Sequence, residues 1–220
     1  NTILLPTFLE GDFGKDIHNK VCEKYADFPI VTQDVVYDED QRIVKGSKPF
    51  YVVAVNEIFR EHNFPIRTAS QADLERILKE GTLSLKGVWE DSELVLRSEG
   101  EPNSYLAKYL SRQLKNKEFP LMIPLYGLGL KKDRESPYGL SFQVTEYTKS
   151  THAPILNSAS GNFSSKDIDQ VIGLPKKLGE GKRYLYNLSD KSGLVRVCLG
   201  RDLVADAGGG RLGISGDNGR

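Results

Sequence analysis

Residues 192–220 read Ser192-Gly193-Leu194-Val195-Arg196-Val197-Cys198-Leu199-Gly200-Arg201-Asp202-Leu203-Val204-Ala205-Asp206-Ala207-Gly208-Gly209-Gly210-Arg211-Leu212-Gly213-Ile214-Ser215-Gly216-Asp217-Asn218-Gly219-Arg220. The stretch contains no Lys, Glu, Gln, Met or Trp, although these types supply 41 of the 191 residues before it and about six would be expected here. They are the five residue types that no codon ending in C encodes. The plainer account is a glycine-rich β-meander, since eight of the 29 residues are Gly. Val197, Leu199, Leu203 and Ala205 hold alternate positions, with Arg201 among them, while Cys198, Gly200, Asp202, Val204 and Asp206 hold the others. Strand side chains alternate between faces, so the first set is expected in a core and the second in water. Gly208-Gly209-Gly210-Arg211 and Gly216-Asp217-Asn218 carry the unpatterned residues on into turns.

Upstream, helix and strand signals alternate. Ile17, Val21 and Tyr25 recur every fourth residue and mark one helical face, and Val52, Val55, Ile58, Phe59 and His62 mark another that Asn63-Phe64-Pro65 ends. His62 reads as the boundary of that face, not as a catalytic base. Ser70-Gln71-Ala72-Asp73 is a capping box with Asp for Glu, opening a helix of about eleven residues that Gly81 stops. Asn103 or Ser104 caps a further helix through Leu114, with Lys115 and Lys117 at its end. Pro29–Val36 and Arg42–Gly46 are expected to pair around Tyr37–Gln41, and Leu83–Leu85 with Leu94–Leu96 around Trp89–Glu93. The acidic residues of both tips read as solvated turn residues, with a metal site as the lesser reading. Beyond residue 120, Leu121–Leu130, Tyr138–Tyr147 and Ala153–Leu156 read as extended segments, Ser164–Asp167 as the start of a short helix, and Tyr184 onward as strand and turn.

Composition narrows the function. Thirty Lys plus Arg balance thirty Asp plus Glu, which disfavours a nucleic-acid partner. No apolar run reaches the roughly 20 residues that span a bilayer, and Ile3-Leu4-Leu5-Pro6 lacks the features of a signal peptide. The chain therefore reads as soluble, without membrane insertion. Cys22 and Cys198 are expected as two separate buried thiols, their pairing being the alternative. Gly11-Asp12-Phe13-Gly14-Lys15 has the wrong spacing for a phosphate loop, and Glu101-Pro102-Asn103 lacks the partner motif of a calcium lectin. No nucleophile elbow and no metal-ligand histidine spacing occurs.

Three segments carry a resemblance to a known family: Ser192-Gly193-Leu194, Leu199-x-Arg201-x-Leu203 and Leu212-x-x-Ser215-x-x-x-Gly219-Arg220. Phe64–Glu75 adds a fourth, being similar to the Arg-x-Pro-Thr-x-Ala-Glu-Trp-Glu helix start of the formylglycine-generating branch of the C-type lectin fold. On these residues the chain, from about Val52 to Arg220, resembles the variable proteins of diversity-generating retroelements, particularly the archaeal and archaeal-virus type. In that family, adenines of a template repeat are copied with errors into the 3′ end of the target gene, so codons of the Asn type that end in C diversify within a fixed scaffold.

The resemblance implies an α+β chain: one C-type lectin domain over 1–220, a two-helix scaffold with mixed and antiparallel sheets, and a variable region at 192–220. It implies a ligand-binding, receptor-like protein with no enzymatic activity and no cofactor. The partner would be a protein or surface ligand, and the setting cytoplasmic or virion-associated. Contact candidates are Cys198, Gly200, Asp202, Val204, Asp206, Gly208, Gly209, Gly210, Arg211, Ile214, Gly216, Asp217 and Asn218, with Val195 and Arg196 as lesser ones. Two features depart from the pattern. No aromatic residue lies in 192–220, and Cys198 lacks the neighbouring cysteine that the branch's copper and thiol oxidases need. The alternatives are such an oxidase, or a metal-dependent hydrolase using Asp38, Asp40, Glu90 and Asp91.

Overall fold

The computed structural model describes residues 5–115, 118–187, 192–210 and 212. Its helices form where the apolar spacing places them. Helix α1 (Gly11–Lys24) buries Ile17 and Val21. It starts against the chain before it, since a Cβ on Gly14 would lie 2.4 Å from the Leu9 carbonyl carbon, so only glycine permits the approach. Pro29–Thr32 is a short helix, α2, not the strand its β-branched residues suggest, because Pro29 takes the first helical position. The hairpin that follows forms later in the chain than expected: β1 (Val36–Asp38) pairs with β2 (Ile43–Lys45), so Tyr37 and Asp38 lie in its first strand and not in its turn.

Helix α3 (Pro49–Glu61) buries ten of its residues, from Pro49 to Phe59, and lies at the centre of the helical layer. His62 caps its end, as the sequence indicates. The capping box of α4 (Gln71–Glu80) is complete: Ser70 Oγ accepts the Asp73 amide at 3.2 Å, Asp73 Oδ2 accepts the Ser70 amide at 2.9 Å, and Gly81 closes the helix at φ 66°. Helix α5 (Ser104–Gln113) starts after Asn103, which makes no side-chain cap.

The remaining strands are β3 (Glu90–Leu96), β4 (Leu121–Pro124), β5 (Leu128–Lys132), β6 (Leu140–Val144), β7 (Thr151–His152), β8 (Gly161–Phe163), β9 (Arg183–Asn187), β10 (Leu194–Leu199) and β11 (Ala205–Gly209). Seven of them form one sheet in the order β7-β4-β3-β10-β11-β9-β8, while β5 and β6 pair separately. β9 and β11 run parallel, and the other described pairings are antiparallel. Ala153–Leu156 contributes only the start of a 3₁₀ turn, and Ser164 caps another at Ser165–Asp167. The architecture is α+β.

Two layers cover the sheet. On one face, Leu94, Leu96 and Leu194 pack with Phe50, Leu106 and Leu110 of the helices. On the other, Val95, Val195, Val197, Ala205, Ala207 and Leu185 pack with Ala153, Leu156, Phe163, Ile168 and Leu174. This corrects the reading of Trp89–Glu93 as a hairpin tip. Residues 90–96 are a single inner strand beside β10, and Asp91 and Glu93 are 4% and 3% exposed. Leu199 belongs to a smaller cluster with Leu74, Ile77, Leu85 and Val88.

Candidate binding surface at the C-terminal strands

The candidate contact residues divide according to the layer above them. Asp202 is exposed, and Val204, Asp206, Gly208, Gly209 and Gly210 are half-buried at the surface. Cys198 and Gly200 are buried, as are Val195 and Arg196, so none of these four presents a contact. The reason is positional. β10 is the fourth of seven strands and is covered on both faces, so all six of its residues are buried and its alternation does not separate core from water. At β11 only one face is covered: Ala205 and Ala207 are buried while Asp206 and Gly208 reach the surface. Arg211, Ile214, Gly216, Asp217 and Asn218 lie outside the described residues. Of the expected core set, Val197, Leu199, Ala205 and Leu212 are buried. Leu203 is not in a strand; it is half-buried at φ 59° in the turn joining β10 to β11, where its amide donates to the Gly200 carbonyl at 3.0 Å.

The backbone of these strands is held by side chains that come from elsewhere. Ser92 Oγ donates to the Val197 carbonyl at 3.2 Å, and Arg97 Nη2 to the Ala207 carbonyl at 3.1 Å. Asn103 Nδ2 donates to both Leu194 and Gly210, at 2.7 and 2.6 Å, which is the work this residue does in place of capping α5. Arg183 Nε donates to the Leu203 carbonyl at 2.7 Å, while its two terminal nitrogens grip the buried Glu75 carboxylate at 2.7 and 2.6 Å. Nothing in the sequence singles out Arg97 or Arg183, because among thirty cations a buried guanidinium looks like any other, and Asn103 stands out there only as a helix cap.

Glycines fall into two kinds. Gly193, at φ 68°, passes so close to the 101–102 peptide that a Cβ would lie 2.2 Å from the Pro102 carbonyl oxygen. Gly200, Gly208, Gly209 and Gly210 all lie outside the left-handed region. A Cβ on Gly208 finds only ordinary contacts at 3.5 Å, whereas one on Gly209 meets Cγ of the buried, ion-paired Arg196 at 2.7 Å, one on Gly200 meets the Val204 side chain at 2.7 Å, and one on Gly210 meets the Pro102 ring at 3.0 Å. Gly208 can therefore take a side chain where it stands.

Charges beneath the surface are paired and dry. Arg196 Nε and Nη2 each donate to Asp91 at 2.6 Å, with the guanidinium 5.4 Å from the Trp89 ring centre. Burial pushes the Asp91 carboxyl up, against the pull of Arg196. Among the described residues Glu93 has no such partner; it accepts the Gln71 amide, at 3.3 Å, and burial pushes its carboxyl up to about 8. Burial also pushes the Cys198 thiol well above its ordinary value. Cys22 and Cys198 are both free thiols, Cys22 half-buried.

Among the described residues no three His, Cys, Asp or Glu side chains are grouped to hold a metal. Asp38 is paired with Lys45 and Asp91 with Arg196, so the four carboxylates of the hydrolase alternative are not assembled. No described helix is long and apolar enough to cross a membrane. A groove of 1120 Å³ lies elsewhere, lined by Phe13, Phe59, Phe64, Tyr126 and Tyr147 among others, and no described residue of 192–212 reaches it. Comparison with family models, curated proteins and solved structures returned no match.

Proposed function

We propose that this chain is a ligand-binding variable protein of the diversity-generating retroelement type. On this reading, a C-type lectin scaffold displays exchangeable side chains at Asp202, Val204, Asp206 and Gly208, with Arg211 and the residues after it continuing the variable segment. Its role is binding, not catalysis, and its ligand is a protein or a surface.

The observation that carries the reading is the source of the bonds that shape β10, β11 and the turn between them. Their carbonyls at Leu194, Val197, Leu203, Ala207 and Gly210 accept from Asn103, Ser92, Arg183 and Arg97, all of which lie before residue 192. A backbone gripped this way keeps its path whatever side chains it bears, because the bonds go to atoms that every residue has. The surface positions are therefore free to change while the strand stays in place. Cys198, Gly200, Gly209 and Gly210 do not share this freedom, and the reading leaves them in the scaffold.

Sequencing the DNA around the gene tests the proposal. A reverse-transcriptase gene beside a near-copy of the segment encoding 192–220, differing at adenines, is the expected result. A complete locus with neither would refute it.

A further inference from the structure

The display surface continues beyond the variable segment. β9 lies beside β11 in parallel register, with Tyr186 opposite Asp206, and paired residues on neighbouring strands project to the same face. Tyr184, two residues earlier, shares that face. The two rings lie 4.7 Å apart between centres at 59°, and Tyr186 is 51% exposed. A second observation concerns charge. Neither Asp202 nor Asp206 forms an ion pair among the described residues, and the neighbouring Arg196 is held bidentately by Asp91. Asp206 Oδ1 accepts the Gly208 amide at 2.9 Å, which fixes the carboxylate beside the tyrosines. Gly208 adds no side chain to obstruct them.

Resting on the display reading above, we infer that Tyr184 and Tyr186 are permanent contact residues, and that this copy binds a protein presenting a lysine or arginine side chain. The cation seats on the tyrosine faces with its charge toward Asp206. Aromatic rings attract cations through their quadrupole, and tyrosine gives large contact area for little lost freedom. The missing aromatics of 192–220 are thus supplied by the neighbouring strand, where diversification does not reach.

The test is a phage-displayed library of the full chain, with Asp206 and Gly208 kept and Asp202 and Val204 randomised. It is selected in parallel on lysozyme, a basic protein, and on ovalbumin, an acidic one. Binders to lysozyme are expected to weaken at least tenfold on Tyr186→Ser and on Asp206→Asn, with the melting temperature moving by no more than about 2 °C, as for an exposed site. Tyr184→Ser serves as the second variant. Lysozyme binders that keep their affinity without the tyrosines would overturn the inference and leave the display reading standing. Ovalbumin binders as numerous and as tyrosine-dependent would overturn the choice of a cationic partner. A folded library that yields no binder to either protein would overturn both the inference and the display reading.

Discussion

Replacing Arg183 with Met tests whether the upstream side chains hold the display strands. The substitution removes two bonds to Glu75 and one to the Leu203 carbonyl, and the Arg183 and Glu75 side chains are only 10% and 7% exposed. A carboxylate left buried without its partner costs about 3 to 5 kcal/mol, and the orphaned carbonyl adds about 1 kcal/mol or more. Loss of the guanidinium packed 4.8 Å from the Phe163 ring centre acts in the same direction. Against a total stability of roughly 5–15 kcal/mol for a folded domain, Arg183→Met should remove about a quarter or more. Asp202→Tyr, at an exposed turn position, should stay within about 0.5 kcal/mol. The double variant Glu75→Leu/Arg183→Met should recover part of the loss, since it removes both charges. Urea unfolding followed by fluorescence measures all three, read as midpoints at constant slope. If Arg183→Met costs less than about 1 kcal/mol, or no more than Asp202→Tyr, the distinction between holding residues and displayed residues is wrong.

Other expectations follow from single groups. Leu203→Asp should destabilise by about 2 kcal/mol, because its half-buried side chain packs with the Leu74, Ile77 and Leu199 cluster; thermal melting compared with Asp202→Tyr checks it. Glu93 is held neutral by burial, with its folded-state value about 8 against an ordinary 4.5. The unfolded chain therefore releases this proton first, and stability should fall as pH rises from about 4.5 to about 8 and then level off. Glu93→Gln should flatten that slope in urea titrations across the window, and an unchanged slope would contradict the burial argument. Finally, a disulfide reagent should label half-buried Cys22 in the native protein and reach Cys198 only on unfolding; native labelling of both at equal rates would place Cys198 wrongly.

The local signals in the sequence are reliable where local physics decides. The box at Ser70–Asp73 and the stop at Gly81 depend on bonds within one turn, and both form as written. The acidic residues at 90–93 mislead for the opposite reason. Their solvation looks certain from the sequence, yet Arg196 makes Asp91 tolerable inside, and that partner lies more than a hundred residues away. Period-two spacing at 197–205 has the same limit. It runs unbroken through the turn at 200–204, where Arg201 of the expected core set is exposed and Leu203 is half-buried, and which strand face meets water depends on the layers packed over it, so the outward reading holds at Asp206 and fails at Cys198. The tyrosines of β9 carry no signal at all until a parallel pairing sets them beside Asp206.

β10 and β11 follow β3 and β9 in the chain yet sit between them in the sheet. During synthesis, a chain that has emerged only as far as Asn187 therefore holds two unjoined half-sheets, each with a bare edge, and the segment that joins them is the one proposed to vary. A substitution in that segment that broke the pairing of β10 with β3 or of β11 with β9 would leave the two halves unjoined, so its cost should appear as loss of the whole fold and not as local fraying.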